Sequence, residues 1–192
     1  MSSTDRVREA FASIRREDFL PADQRGSAGE DRALKIGYRQ TNSQPSTIAN
    51  MLHLLDVKPG QRVLDVGSGS GWTTALLGVL VGPSGLVHGV EIVPELVIWG
   101  RGNLEAHPMP WTSITEAAPD QLGLPEQAPF DRILVSANAR RLPDELVAQL
   151  GPDGVLVISV VGRMTVVRTT ADEPIVEREG HYAFVPLIEP GR

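Results

Sequence analysis

From residue 60 onward, short apolar runs alternate with stretches whose apolar positions recur at helical spacing. The runs 62–67, 86–92, 131–137 and 154–161 predict strands, and 71–81, 94–105 and 143–150 predict helices between them. Such alternation implies βαβ units and an α/β, doubly wound, mostly parallel sheet. Val155-Leu-Val-Ile-Ser-Val-Val161 is apolar almost throughout, as expected of a strand covered on both faces, and Gly151-Pro-Asp-Gly154 reads as the turn feeding it. Upstream, Val7, Ala10, Phe11 and Ile14 predict a helix over 5–20, and Pro21 to Asp31 reads as a loop. Ser46–Leu55 predicts a second helix, with Ser46 as its N-cap and Pro59-Gly60 as its stop. Past residue 163 the pattern changes to short strands at 165–169, 175–179 and 182–187, which predict an antiparallel end to the sheet.

The first strand of the alternation carries the most chemistry. Val63-Leu-Asp-Val-Gly-Ser-Gly-Ser-Gly71 ends an apolar run in an acid, Asp65, and then in glycines spaced GxGxG, directly before a helix. Glycines there let backbone approach a nucleotide-like ligand closely. The dinucleotide pattern G-x-G-x-x-G fails, because its last glycine would fall at Trp72; the Gly-Lys-Ser/Thr of a P-loop occurs nowhere. Glu91 ends the next apolar run, 24 residues after Gly67. That is close to the ~20 residues expected of an acid that accepts hydrogen bonds from ribose hydroxyls. A glycine-rich turn without a ligand is the alternative; the acid, the glycines, the helix and the second acid together favour the nucleotide site. The set resembles the first motif of S-adenosylmethionine-dependent methyltransferases, with Asp65, Gly67, Ser68, Gly69, Gly71 and Glu91 as cofactor-binding candidates.

Composition narrows the classes. The 192 residues suit one domain, and 41% hydrophobic content supplies a core. A formal charge of −6 argues against a general nucleic-acid binder. With no cysteine there is neither a disulfide framework nor a thiolate metal site, and His53, His88, His107 and His181 lack close ligand spacing, so no metal is expected. The start shows no secretory h-region and no run approaches a membrane span, which predicts a cytoplasmic monomer without membrane or nucleic-acid partners.

A second segment sharpens the class. Asp31-Arg-Ala-Leu-Lys-Ile-Gly-Tyr-Arg-Gln-Thr-Asn-Ser-Gln-Pro45 resembles the substrate loop of protein-L-isoaspartate O-methyltransferases, roughly (L/S)-x-I-G-x-G-Q-T-I-S-Q-P. Arg16-Glu-Asp-Phe-Leu-Pro21, Ala128-Pro-Phe-Asp131, the stretch from Pro143 to Gly154 and Phe184-Val-Pro-Leu187 match in order, so the resemblance spans nearly the whole chain. It implies methyl transfer from S-adenosylmethionine to the α-carboxyl group of isoaspartyl residues in damaged proteins or peptides, with S-adenosylhomocysteine as product. It also implies a division into an N-terminal helical and substrate-loop segment (1–57), a cofactor-binding core (58–162) and C-terminal strands (163–192) of one domain.

By the same resemblance Ser43 is the active-site serine, which orients the substrate carboxylate; the backbone and side chains of Gln40 and Thr41 are further orienting candidates and are also cofactor-binding candidates. Four departures stand out. Arg39 replaces the loop glycine and Asn42 the isoleucine before the serine; both are substrate-binding candidates. Ile14-Arg-Arg-Glu17 stands for V-P-R-E. Ala118-Pro119-Asp120 stands where the family has Gly-Asp-Gly against the adenine, and a one-residue slip would give Asp120 that role. A methyltransferase retargeted to another carboxylate, or a non-catalytic cofactor-binding homologue, are the alternative functions.

Overall fold

Residues 2–189 are described in a computed structural model of the chain. The elements are α1 (Ser3–Ser13), β1 (Leu34–Gly37), β2 (Gln40–Asn42), α2 (Pro45–Leu55), β3 (Arg62–Val66), α3 (Trp72–Val81) and β4 (Leu86–Glu91). They continue with α4 (Pro94–Glu105), β5 (Thr112–Glu116), β6 (Phe130–Ala139), α5 (Asp144–Val147), β7 (Leu150–Val160), β8 (Arg163–Arg168) and β9 (Ile175–Glu179). Seven strands form one sheet in the order β5-β4-β3-β6-β7-β8-β9. The first five run parallel, and β8 and β9 complete the sheet antiparallel, as the sequence predicts.

Both faces of the sheet are covered, which explains the near-continuous apolar strands. Val63, Leu134, Val155 and Val157 join one core with α1, α2 and α3. Their neighbours Leu64, Ile133, Val135, Leu156 and Ile158 join a second core with Leu146 of α5 and Leu124. Each such side chain taken out of water contributes about 1.5–3 kcal/mol. The helix α3 is apolar around nearly its whole circumference because every residue except Val79 is buried. None of the described helices is long and apolar enough to cross a membrane.

Several elements differ from the sequence expectation. The first helix stops at Ser13 instead of 20; the chain then extends and turns through a 3-10 helix at Arg16–Phe19. A capping box between Ser2 and Asp5 fixes its start. Ser46 is not the cap of α2. That helix begins at Pro45, and the distant Asp31 accepts from the backbone N–H of Ser46 (2.9 Å) and from Gln44 (3.0 Å). These bonds, the backbone one foremost, hold the Asp31 carboxyl below its ordinary pKa. The helix expected over 143–150 is only α5, because Gln149 turns inward to bond Leu122, Leu124 and Glu145. Residues 182–187 make a single parallel bridge to β6, Asn138 to Pro186, and no further strand.

Residues 34–42, which resemble a loop in sequence, form the antiparallel hairpin β1–β2. Its tip puts Tyr38 (φ 50°) and Arg39 (φ 60°) in the left-handed region. A glycine at position 39 would adopt this conformation without the ~1–2 kcal/mol that a β-carbon adds. Part of that is offset by the greater freedom of glycine in the unfolded chain. Arg39→Gly is therefore expected to stabilise the fold by about 0.5–1 kcal/mol, a rise of about 1–4 °C in Tm. Thermal unfolding checks it, and an unchanged or lower Tm would contradict it.

The chain passes from β3 outward to β4 and β5, then returns to β6 on the other side of β3. Order reversal opens a crevice at the carboxyl ends of β3 and β6, where open α/β sheets bind ligands.

Candidate active site

A cavity of about 380 Å³ occupies that crevice, within the size range of small-molecule sites. Its wall is built from residues 40–43 of the hairpin, the glycine turn after β3, the ends of β4, β5 and β6, and residues 185–189, which pass over it. Gly67, Gly69 and Gly71 all have positive φ (78°, 54° and 89°), which accounts for glycine at every second position. The turn is held from behind: Gly67 and Ser68 donate to the carbonyl of Val90, and Asn103 donates to that of Ser70 (2.9 Å).

Glu91 lies on the wall and is 5% exposed. One of its oxygens accepts from the backbone N–H of Gly69 (2.8 Å), the other from those of Ile92 (2.8 Å) and Val93 (3.0 Å). The carboxylate thus fixes the glycine turn to the end of β4, with about one of its roughly four lone-pair sites left for a ribose hydroxyl. Gln40, Thr41, Asn42, Ser43, Gly67, Ser68 and Gly69 also line the cavity.

Four expected positions lie elsewhere. Asp65 is fully buried behind the turn, where one carboxylate oxygen accepts from the hydroxyls of Thr73 (2.8 Å) and Thr74 (2.7 Å). It ties the strand to the start of α3 and does not reach the cavity wall, because its side chain faces the α3 side of the sheet. Gly71 is the N-cap of α3, and a β-carbon there would lie 3.2 Å from the carbonyl oxygen of Gly100 on α4. Its role is close packing of α4 on the turn. Asp120 is exposed and off the wall; Ala118 and Pro119 face the cavity instead, followed by Gln121. Arg39 is exposed at the hairpin tip and likewise outside the wall.

Burial, reinforced by the nearby Glu91 charge and only partly opposed by the two threonine bonds, raises the pKa of Asp65 to about 6 from 3.8. A raised carboxyl pKa stabilises the fold fully below the unfolded value, and that stabilisation is lost as pH rises through about 6. The difference corresponds to roughly 3 kcal/mol. Asp65→Asn removes the titration, so its stability relative to the parent should increase by about that amount between pH 3.5 and 8. Parallel Tm curves for the two proteins across this range would contradict the assignment.

Other wall residues were not singled out from the sequence. Ser70 and Trp72 extend the turn, and Ser136 closes the wall at the end of β6. Arg16 lies behind it, 7% exposed, with its guanidinium 5.3 Å over the Trp72 ring. It donates to the Asn42 side chain (2.8 Å) and to the carbonyls of Ala28, Glu30, Arg32, Asn42 and Ser43. The Asn42 amide in turn donates to Ser70 (3.4 Å). Asn42 is 4% exposed, so its side chain bridges hairpin and glycine turn while bordering the cavity. Burial lowers the Arg16 pKa to about 10, still well above neutrality. The order-preserving match around Arg16–Pro21 was the one sequence signal for this residue.

The electrostatics are one-sided. Glu91, Glu116 and Glu189 border the cavity, and no lysine or arginine does among the described residues. Ser68 Oγ and Trp72 Nε1, both on wall residues, are buried without a hydrogen-bond partner. Acidic walls, spare polar groups and exposed turn backbone suit a cationic, nucleoside-bearing ligand. A second cavity of about 420 Å³ adjoins the first and shares Thr41, Ser43, Ser136 and Val185 with it.

The family model described as protein-L-isoaspartate(D-aspartate) O-methyltransferase matches residues 1–191. A protein-L-isoaspartate O-methyltransferase of Aeropyrum pernix is 44% identical over 188 residues, covering 95% of this chain and 72% of that protein. Among solved structures, a putative protein-L-isoaspartate O-methyltransferase from Plasmodium falciparum in complex with S-adenosyl-L-homocysteine superposes with a TM-score of 0.84 at 26% identity, covering 96% of this chain and 91% of that one. Another solved protein-L-isoaspartate O-methyltransferase, at 24% identity and a TM-score of 0.86, shares the fold; 95% of this chain spans 61% of its length.

Proposed function

The chain belongs to the protein-L-isoaspartate O-methyltransferase family, and from that premise we propose that it methylates the α-carboxyl group of isoaspartyl residues in damaged proteins or peptides. When bound, S-adenosylmethionine supplies an electrophilic methyl group on a sulfonium. The glycine turn and Glu91 would hold its nucleoside, and the acidic wall suits its positive charge.

The chemistry asks little of side chains. A substrate carboxyl with a pKa of about 4 is already ionised at neutral pH, so no general base is needed. Bringing the carboxylate into line with the methyl and excluding water can contribute about 7–11 kcal/mol. Thr41 and Ser43 then orient the carboxylate by hydrogen bonds, while residues 185–189 cover the cavity from water. The observation that carries this reading is that Ser43 belongs to both cavities, so a peptide in the outer one can present its carboxylate to a donor in the inner one.

An isoaspartyl peptide incubated with S-adenosylmethionine should yield S-adenosylhomocysteine equal to the methyl ester plus the methanol that the ester releases on closing to a succinimide, and the aspartyl isomer should not. Binding of S-adenosylhomocysteine without esterification of the isoaspartyl peptide would sink the proposal. Esterification of a different carboxylate compound would then favour a retargeted methyltransferase.

A further inference from the structure

A carboxylate has two oxygens, and only one of them attacks a methyl group. The other must be held, and in this protein no lysine or arginine borders either cavity among the described residues. His181 borders only the outer cavity, so at the junction of the two cavities the side-chain donors are neutral ones. The shared residues are Thr41, Ser43, Ser136 and Val185, three of which carry hydroxyls.

Ser136 differs from the other two in its setting. Val135 pairs with Ile158 on β7 and Asn138 pairs with the adjacent Ser159, so Ser136 and Ala137 form a bulge with no partners across the ladder. Bulges beside sites re-aim side chains. This one is pinned at its far end, where the Asn138 side chain accepts from Ser159 (2.9 Å) and from the Gly162 backbone (2.8 Å). Asn138 also exchanges backbone hydrogen bonds with Val185 and Leu187, the segment that covers the cavity. The Ser136 hydroxyl oxygen is buried and has no hydrogen-bond partner. A hydroxyl left unpaired at a polar junction is a donor awaiting an acceptor.

We propose that Ser136, together with Ser43, is a substrate-binding residue whose hydroxyl donates to the substrate carboxylate. Because that hydroxyl oxygen is buried, donation to the substrate requires it to rotate about χ1 toward the junction. The bulge sets the backbone from which it reaches, and the covering segment, bonded to Asn138, keeps water from competing for it. This inference rests on the methyltransferase reading above.

The test compares the parent with Ser136→Ala, Ser136→Val and Ser136→Thr, using an isoaspartyl peptide and S-adenosylmethionine. Ser136→Ala and Ser136→Val should lower kcat/KM for the peptide about 10- to 100-fold, the loss expected for one hydrogen bond to a charged group. KM for the peptide should rise, and the Kd for S-adenosylhomocysteine should stay within about twofold. Ser136→Thr, which keeps the hydroxyl, should restore most of the loss. A merely structural role would move Tm and cofactor affinity together with activity. Ser136→Ala activity within about twofold of the parent overturns the assignment, as does an equal loss of cofactor affinity. A parent protein that fails to methylate the peptide overturns the functional reading, and this assignment with it.

Discussion

Replacing Glu91 by alanine is expected to weaken binding of S-adenosylhomocysteine about 100- to 1,000-fold, the largest effect on the cofactor site from any single side chain. The carboxylate accepts three backbone N–H groups, one from the glycine turn and two from the start of the connection to α4. Removing it leaves those donors without their acceptor in a site where Glu91 itself is nearly buried. A charge-assisted bond from a ribose hydroxyl is worth about 1.5–3 kcal/mol, and the loosened glycine turn adds the rest of the roughly 2.7–4.1 kcal/mol that the stated range represents. Glu91→Gln keeps the size and half of the acceptor capacity, but points an amide at N–H groups. About 10- to 50-fold weakening is expected for it. Calorimetric titration with S-adenosylhomocysteine measures both, and an affinity within about threefold of the parent for Glu91→Ala would refute the role.

The second large effect is on stability. Arg16→Ala should lose about 3–5 kcal/mol and about 6–20 °C in Tm. Arg16 is buried, makes no hydrogen bond to a carboxylate among the described residues, and binds five carbonyls and one side-chain amide oxygen. Those acceptors lie on the 28–32 loop and on Asn42–Ser43, so the substitution removes the tie between them. Activity should fall with stability, because Ser43 is held through its own carbonyl (2.9 Å). Lysine cannot replace the planar fork that reaches these acceptors, so Arg16→Lys should recover less than half of the loss. Thermal unfolding and amide exchange across residues 28–43 provide the measurement; a loss below about 1 kcal/mol would contradict this account.

Legibility in the sequence followed the strength of the local signal. The strands β3, β4, β6 and β7 announced themselves as apolar runs because both faces of the sheet are buried. The strand β5 did not: in Thr112–Glu116 only Ile114 is buried, as befits the edge of the sheet. The hairpin β1–β2 is equally short, and its pattern is broken at Tyr38 and Arg39 by the turn. The first helix ended early for a reason carried by distant residues, since Arg16 must leave the helix to meet partners 12 to 27 positions away.

The class of site is written in the local sequence. Glycines at 67, 69 and 71 need no β-carbon because their φ is positive, and that requirement is local enough to be written in three residues. Glu91 follows from the same logic, an acid at the end of the adjacent strand. Tertiary structure alone decided which residues around this motif face the cavity. The parity of β3 turns Asp65 toward α3, and the packing of α4 commits Gly71 to the contact with Gly100. The loop after β5 presents Pro119 and not Asp120, and the bulge in β6 brings Ser136 to the junction of the two cavities. A motif specifies backbone conformation through nearest neighbours, whereas the direction of a side chain depends on strand parity, bulges and the elements packed against it.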